Sequence, residues 1–186
     1  MNEIINVKKY LETLTSKITP NKDILNKIIQ IKNLIIKTKK NKSKILIFGN
    51  GGSAAIASHI SVDLTKNIKV KAMNFNEADL ITCFANDYGY EKWIEKTIDF
   101  YADKNDILIL ISSSGKSKNM INACKAAKRK KISKIITLTG SKKNNPLSKL
   151  GDINLWVDSN IYNHIENIHQ IWLLSICDLI KLNKVK

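Results

Sequence analysis

Five short apolar runs divide the chain from residue 44 onward: KILIF (44–48), VKAMN (70–74), DILILI (106–111), KIITLT (134–139) and INLWV (153–157). Each has the length of a strand and is rich in Ile, Leu or Val, and stretches with helical apolar spacing lie between them. Those stretches fall near 53–66, 77–84, 90–102, 117–130 and, briefly, 146–150, and a last helix covers about 163–183. Strands this apolar need cover on both faces. Strand–helix alternation with short connections supplies it through right-handed βαβ units. The pattern predicts an α/β fold, a three-layer αβα sandwich around a five-stranded parallel sheet.

Two helices precede the sheet. Residues 3–18 and 22–40 carry apolar stripes at helical spacing, separated by TPNKD, with Pro20 placed to open the second helix. The second stripe is broad enough to pack against more than one neighbour. No internal repeat or low-complexity linker interrupts the chain. Its 186 residues are expected to form a single domain, with residues 1–40 as a helical pair and 44–186 as the core and terminal helix.

Charge narrows the partners. The net charge of +15 suggests an anionic ligand, yet Arg129 is the single arginine among 31 basic residues. Arginine is the side chain that reads base edges bidentately, and the lysines are scattered, so the composition argues against a nucleic-acid partner. No apolar stretch approaches the roughly 20 residues of a bilayer span, so no membrane partner is expected. The N-terminus lacks the apolar centre of a signal peptide, which makes a cytoplasmic location the default expectation. Cys83, Cys124 and Cys177 form no C-x-x-C pair and are expected to be reduced and mostly buried.

Glycine is scarce and concentrated behind the strands. GNGGSA (49–54) follows the first strand and formally matches G-x-G-x-x-A. A dinucleotide reading also wants an acidic residue ending the second strand, but that strand ends MNFN, with no acid before Glu77. SSSGKS (112–117) follows the third strand and offers four hydroxyls, a glycine and free backbone N–H groups at a helix start. Such a loop suits a phosphate, although it lacks the P-loop spacing and would also serve as a serine-rich helix cap. His59 and Asp63 are spaced i, i+4 and share a helix face. They fit either a metal-binding or proton-transfer pair, or a half-buried histidine beside a surface carboxylate.

Taken in order, GNGGSA, ANDYGYE (85–91), ILISSSGKSKN (109–119) and ITLTG (136–140) resemble the sugar isomerase (SIS) domain, whose sheet is flavodoxin-like. Within it, the chain is most similar to bacterial phosphoheptose isomerases, over its whole length. The resemblance implies a ketose–aldose isomerase that converts sedoheptulose 7-phosphate into D-glycero-D-manno-heptose 7-phosphate through an enediol, for lipopolysaccharide or capsule heptose. It also implies a homotetramer with active sites between subunits. The phosphate would be held by Ser112, Ser113, Ser114 and Ser117. The sugar would meet Asn50, Gly51, Gly52, Ser53, Asn86, Asp87 and Glu166. His59 matches the family's zinc-ligand histidine, and Asp63 its catalytic, metal-binding glutamate.

The chain departs from the family on its last helix, which begins NHIENIHQIWLLSI. Glu166 stands where the resemblance implies a glutamine, Asn163 where it implies an aspartate and His164 where it implies an arginine. Leu174 occupies the place of the second catalytic, zinc-binding histidine, while His169 matches a different family histidine. Three outcomes stay open. His59, Asp63 and Glu166 hold a divalent metal, zinc by resemblance. Or Asp63 works with Glu166 or with His169 as a metal-free proton shuttle. Or catalysis is lost, leaving a tetrameric phosphosugar-binding or regulatory SIS protein of the kind that associates with the replication initiator.

Overall fold

The computed structural model describes residues 2–182. All five strands form: β1 (Lys44–Gly49), β2 (Lys71–Met73), β3 (Ile107–Ser112), β4 (Lys134–Thr139) and β5 (Ile153–Trp156). They make one parallel sheet in the order β2-β1-β3-β4-β5. Seven α-helices surround it: α1 (Asn2–Ile18), α2 (Lys22–Lys40), α3 (Gly52–Asp63), α4 (Ala78–Tyr88), α5 (Trp93–Tyr101), α6 (Lys118–Arg129) and α7 (Tyr162–Leu182).

Alternation along the strands sorts the core into two layers. Ile45 and Ile47 of β1, with Ile107, Ile109 and Ile111 of β3, pack under α2, α3 and α7. Leu46, Phe48, Leu108 and Leu110 point the other way, into α5 and α6, where Trp93, Ile98, Met120 and Cys124 close the layer. The period of two along each strand produces this division, so the expected three-layer sandwich is what forms.

Some boundaries differ from expectation. Residues 146–150 are turns rather than a helix. Side chains take up the backbone groups at its start: Ser148 N–H donates to Asn145 Oδ1 and Ser148 Oγ to the Asn145 carbonyl, so a regular helical ladder does not begin there. Asn21, not Pro20, opens α2, because its side chain accepts the Ile24 N–H at 3.1 Å. After α3 the chain continues as a π-helical turn, Leu64–Ile68, that ends at Lys69 with φ of 63°. The expected end of the last helix, residue 183, lies outside the described residues.

The first helix is held through its middle and its C-terminal end. Trp172 Nε1 donates to the Ile18 carbonyl at 2.8 Å, Lys17 donates to the Asp158 carbonyl, and the Tyr10 ring meets His164 edge-on at 4.3 Å. None of its residues is buried. The cysteines are free. Cys124 and Cys177 are buried, and burial pushes their thiols up to about 11 and about 12, whereas Cys83 is exposed.

Candidate active site

The strand order reverses direction between β1 and β3, and in such sheets the loops leaving these two strands diverge to open a crevice. The ladder aligns Gly49 with Ile111, so GNGGSA and SSSGKS begin side by side.

The first loop is shaped by two glycines. A Cβ at Gly49 would collide with the Ser53 backbone, and Gly51 takes a left-handed φ of 55° as it opens α3. Ser53 N–H then donates to the Asn50 carbonyl at 3.1 Å, folding Asn50 and Ser53 over the sheet edge.

The serine loop is a tight turn in which Gly115 N–H donates to the Ser112 carbonyl at 2.9 Å. Ser112 and Ser117 hydroxyls lie 3.2 Å apart, and Lys116 N–H donates to Ser114 Oγ at 3.2 Å. Ser113 Oγ is buried and has no hydrogen-bond partner among the described residues. A buried hydroxyl without a partner is costly and marks a place where a ligand oxygen would complete the geometry.

A cleft of about 140 Å³ lies between the two loops. It is lined by Asn50, Ser53, Ile111, Ser112, Ser113, Ser114, Ser117, Tyr162 and Glu166. Glu166 arrives from α7 and is the single carboxylate of that lining. Its carboxylate occupies the space beside Gly52 where a side chain would sit, so Gly52 is what lets it approach the start of α3. Tyr162 precedes Glu166 by one helical turn and is 62% exposed. The sequence reading missed it, although its i, i+4 spacing to Glu166 puts both on one helix face.

Other expected residues lie elsewhere. Asn86 and Asp87, on α4, are exposed and do not line the cleft; the Asn86 amide donates to Asp87 Oδ1 at 3.0 Å. The segment reaches the first loop through Tyr90 instead, whose hydroxyl donates to Asn50 Oδ1 at 3.1 Å. His59 is exposed, with Nδ1 3.2 Å from Gln170 Nε2. Asp63 is half-buried and accepts from Asn67 at 3.1 Å. Leu174 is partly buried and packs on the apolar core under α7.

His169 does not reach the cleft. It is fully buried, with Nε2 donating to the Thr139 carbonyl at 3.2 Å and Nδ1 unpartnered. Burial outweighs that hydrogen bond and lowers its pKa from 6.5 to about 4. The neutral ring therefore spans the end of β4 and α7 as a packing group. Between pH 6.5 and about 4 the unfolded chain binds a proton that the folded one refuses, so stability falls as pH drops through this window. The loss should total about 3 kcal/mol in urea unfolding, and His169→Gln, which keeps a donor to Thr139, should flatten the slope. An unchanged slope would assign acid sensitivity to other groups.

His59, Asp63 and Glu166 are the donors expected to hold a metal. Among the described residues, no three His, Cys, Asp or Glu side chains gather closely enough to hold an ion. Gln170 can only donate from its amide nitrogen, so it occupies the His59 Nδ1 lone pair, and Asp63 is engaged by Asn67. No chemical step is therefore routed through a metal.

With this geometry in place, the relatives are informative. The profile described as SIS domain matches residues 9–140. The chain is 37% identical over 183 residues to the phosphoheptose isomerase of Aliarcobacter butzleri, covering 94% of both chains. It is 36% identical over 154 residues to that of Helicobacter pylori (strain ATCC 700392 / 26695), covering 80% of this chain and 79% of the relative. Among solved structures, a phosphoheptose isomerase from Francisella tularensis superposes with a TM-score of 0.86 at 26% identity, covering 98% of this chain and all of the other. One from Neisseria gonorrhoeae gives a TM-score of 0.87 at 28% identity, with 97% and 99% coverage.

Proposed function

The chain belongs to the SIS domain family, with phosphoheptose isomerases as near full-length relatives, and we propose that it is a cytoplasmic isomerase acting on sedoheptulose 7-phosphate. Its product would be D-glycero-D-manno-heptose 7-phosphate, a precursor of lipopolysaccharide or capsule heptose. The observation that carries this reading is the cleft that joins a phosphate-type serine loop to one carboxylate.

In this reading the phosphate sits on Ser112, Ser113, Ser114 and Ser117, and completes the bonding of the buried Ser113 hydroxyl. Hydroxyls and backbone N–H groups beside the start of α6 favour the anion. The sugar extends toward Asn50 and Ser53. Glu166 takes the proton from C1 while the C2 carbonyl oxygen gains charge, giving an enediolate. The O1 hydroxyl proton passes to O2 and the abstracted proton returns to C2, so that C1 becomes the aldehyde and C2 the carbinol. The serine loop supplies remote binding energy that holds C1 and C2 over the carboxylate.

A coupled assay with sedoheptulose 7-phosphate, with and without added zinc, tests the proposal. Turnover supports it, and absent turnover on any sugar phosphate, despite binding, refutes it. Joint replacement of Ser112 and Ser114 by Ala should weaken sugar-phosphate binding in calorimetry by ~1–3 kcal/mol, as expected for lost hydrogen bonds to a charged group. Unchanged affinity would place the phosphate elsewhere.

A second reading, a non-catalytic phosphosugar-binding protein, is favoured by Leu174 at an expected histidine position. The same assay discriminates between the two.

Self-association belongs to both readings, and we propose a homotetramer. Its support is α1, which exposes Ile4 (77%), Val7 (60%) and Leu11 (52%) along one groove. A contiguous apolar face of this kind marks an interaction surface. Light scattering should give a mass four times the 21.0 kDa chain, and Val7→Glu with Leu11→Glu should reduce it. A monomeric wild type would overturn the proposal.

A further inference from the structure

Asn50 carries more information than its place in the cleft. Its side chain and that of Asn119 form a reciprocal amide pair: Asn119 Nδ2 donates to Asn50 Oδ1 at 2.8 Å, and Asn50 Nδ2 donates to Asn119 Oδ1 at 3.1 Å. Such a pair is satisfied equally well with both amides flipped, so by itself it leaves the orientation open.

One backbone group removes that freedom. Met120 N–H donates to Asn119 Oδ1 at 3.0 Å, and a backbone N–H cannot accept. The oxygen of Asn119 is thereby assigned, and with it the nitrogen that faces Asn50. Asn50 must answer with its oxygen to that nitrogen and its nitrogen to that oxygen. Asn119 is only 2% exposed, so water is a poor substitute for either contact. Tyr90 then donates its hydroxyl to Asn50 Oδ1 at 3.1 Å and takes the second lone pair.

The count leaves Asn50 with one unused group. Both lone pairs of Oδ1 are engaged, and one of the two Nδ2 hydrogens is given to Asn119. We infer that Asn50 meets its sugar-phosphate ligand with a single N–H donor, never as an acceptor, and that Asn119 and Tyr90 are the positioning residues that enforce this polarity. This rests on the proposed sugar-phosphate reading of the cleft. In the isomerisation such a donor suits the oxygen that gains negative charge as the C1 proton leaves, because a preoriented N–H needs no reorganisation at that moment. Where the ligand is held without turnover, the same N–H selects a hydroxyl or carbonyl oxygen.

The test follows the two side-chain amide protons of Asn50 by nitrogen–proton NMR in the full chain, assigned by their loss in Asn50→Asp. Sedoheptulose 7-phosphate is titrated, with inorganic phosphate as a control. One Asn50 amide proton should shift with the sugar phosphate and not with inorganic phosphate, while the proton bonded to Asn119 stays in place. Equal shifts of both protons, or none in a saturated complex, would overturn the inference.

Kinetics give a second readout. Asn119→Asp keeps an acceptor for Met120 N–H but removes the donor to Asn50, so the Asn50 amide turns its oxygen to the cleft. The expected result is a drop in kcat of about 10²-fold, the scale of a lost oxyanion donor, with KM little changed. Equal kcat in a folded variant would overturn the positioning role. If Asn119→Asp fails to fold, Tyr90→Phe, which frees one lone pair at the surface, should relax the selectivity of the NMR shift; unchanged selectivity would remove Tyr90 from the device. A wild type that binds the sugar phosphate with the selective shift but does not turn it over refutes the isomerase reading and leaves the polarity inference standing. A wild type that does not bind it refutes both.

Discussion

Glu166→Gln should lower kcat on sedoheptulose 7-phosphate by about 10²–10⁴-fold, the usual range for removing a group that transfers a proton in the transition state. The substitution preserves shape, and Glu166 is the single carboxylate lining the cleft. KM should change little, because the phosphate is held by the serine loop and not by this side chain. The variant also installs the glutamine that the family resemblance implies at this position. Retained activity would therefore be informative: it would remove Glu166 as the proton shuttle. Single-turnover kinetics beside steady-state assays would separate a chemical defect from slow product release.

Asp106→Ala should cost about 3–5 kcal/mol of stability, the cost of breaking one side of a buried ion pair. The Asp106 side chain is 2% exposed and pairs with Lys44 Nζ at 2.7 Å. It also accepts the Lys44 backbone N–H at 3.0 Å and the Asp103 N–H at 2.7 Å, which ties the start of β1 to the turn before β3. Burial alone would pull the Lys44 pKa down, but hydrogen bonds to Asp103 and Asp106 outweigh it and the value is raised. Removing the carboxylate strands two backbone donors and leaves the Lys44 ammonium with Asp103 alone. Urea denaturation would measure the loss, and a change below about 1 kcal/mol would mean that water replaces the carboxylate.

Much of the layered fold was legible in the sequence because strand burial writes itself into composition. The run ILILI (107–111) has no polar position, which happens only when both sheet faces are covered. The two ligand loops were legible for a related reason: glycine and serine cluster where backbone must turn sharply and still offer polar groups. Boundaries were less legible. Residues 146–150 had helical spacing, but side-chain-to-backbone bonds from Asn145 and Ser148 captured the segment as turns. Pro20 looked like a helix start, yet Asn21 one residue later offered a better cap.

The site divided in the same way. Asn50, Ser53, the serine loop and Glu166 line one cleft, because adjacent strands and one helix bring them to the same sheet edge. His59, Asp63 and His169 were chosen for residue type, and side-chain chemistry says nothing about which neighbours occupy it. Asn67 faces Asp63 at i, i+4, whereas Gln170 faces His59 and Thr139 faces His169 across separations that spacing does not reveal. Tyr162, Tyr90 and Asn119 entered only when their contacts could be seen.

The sequence by itself determined the sheet, its two faces and the two loops at its edge, since these follow from local periodicity and from the backbone needs of glycine and serine. The tertiary structure decided which polar atoms are still free to act. That depends on hydrogen bonds between residues distant in the chain, such as Asn50 with Asn119, and each bond removes a donor or acceptor that sequence spacing alone would count as available.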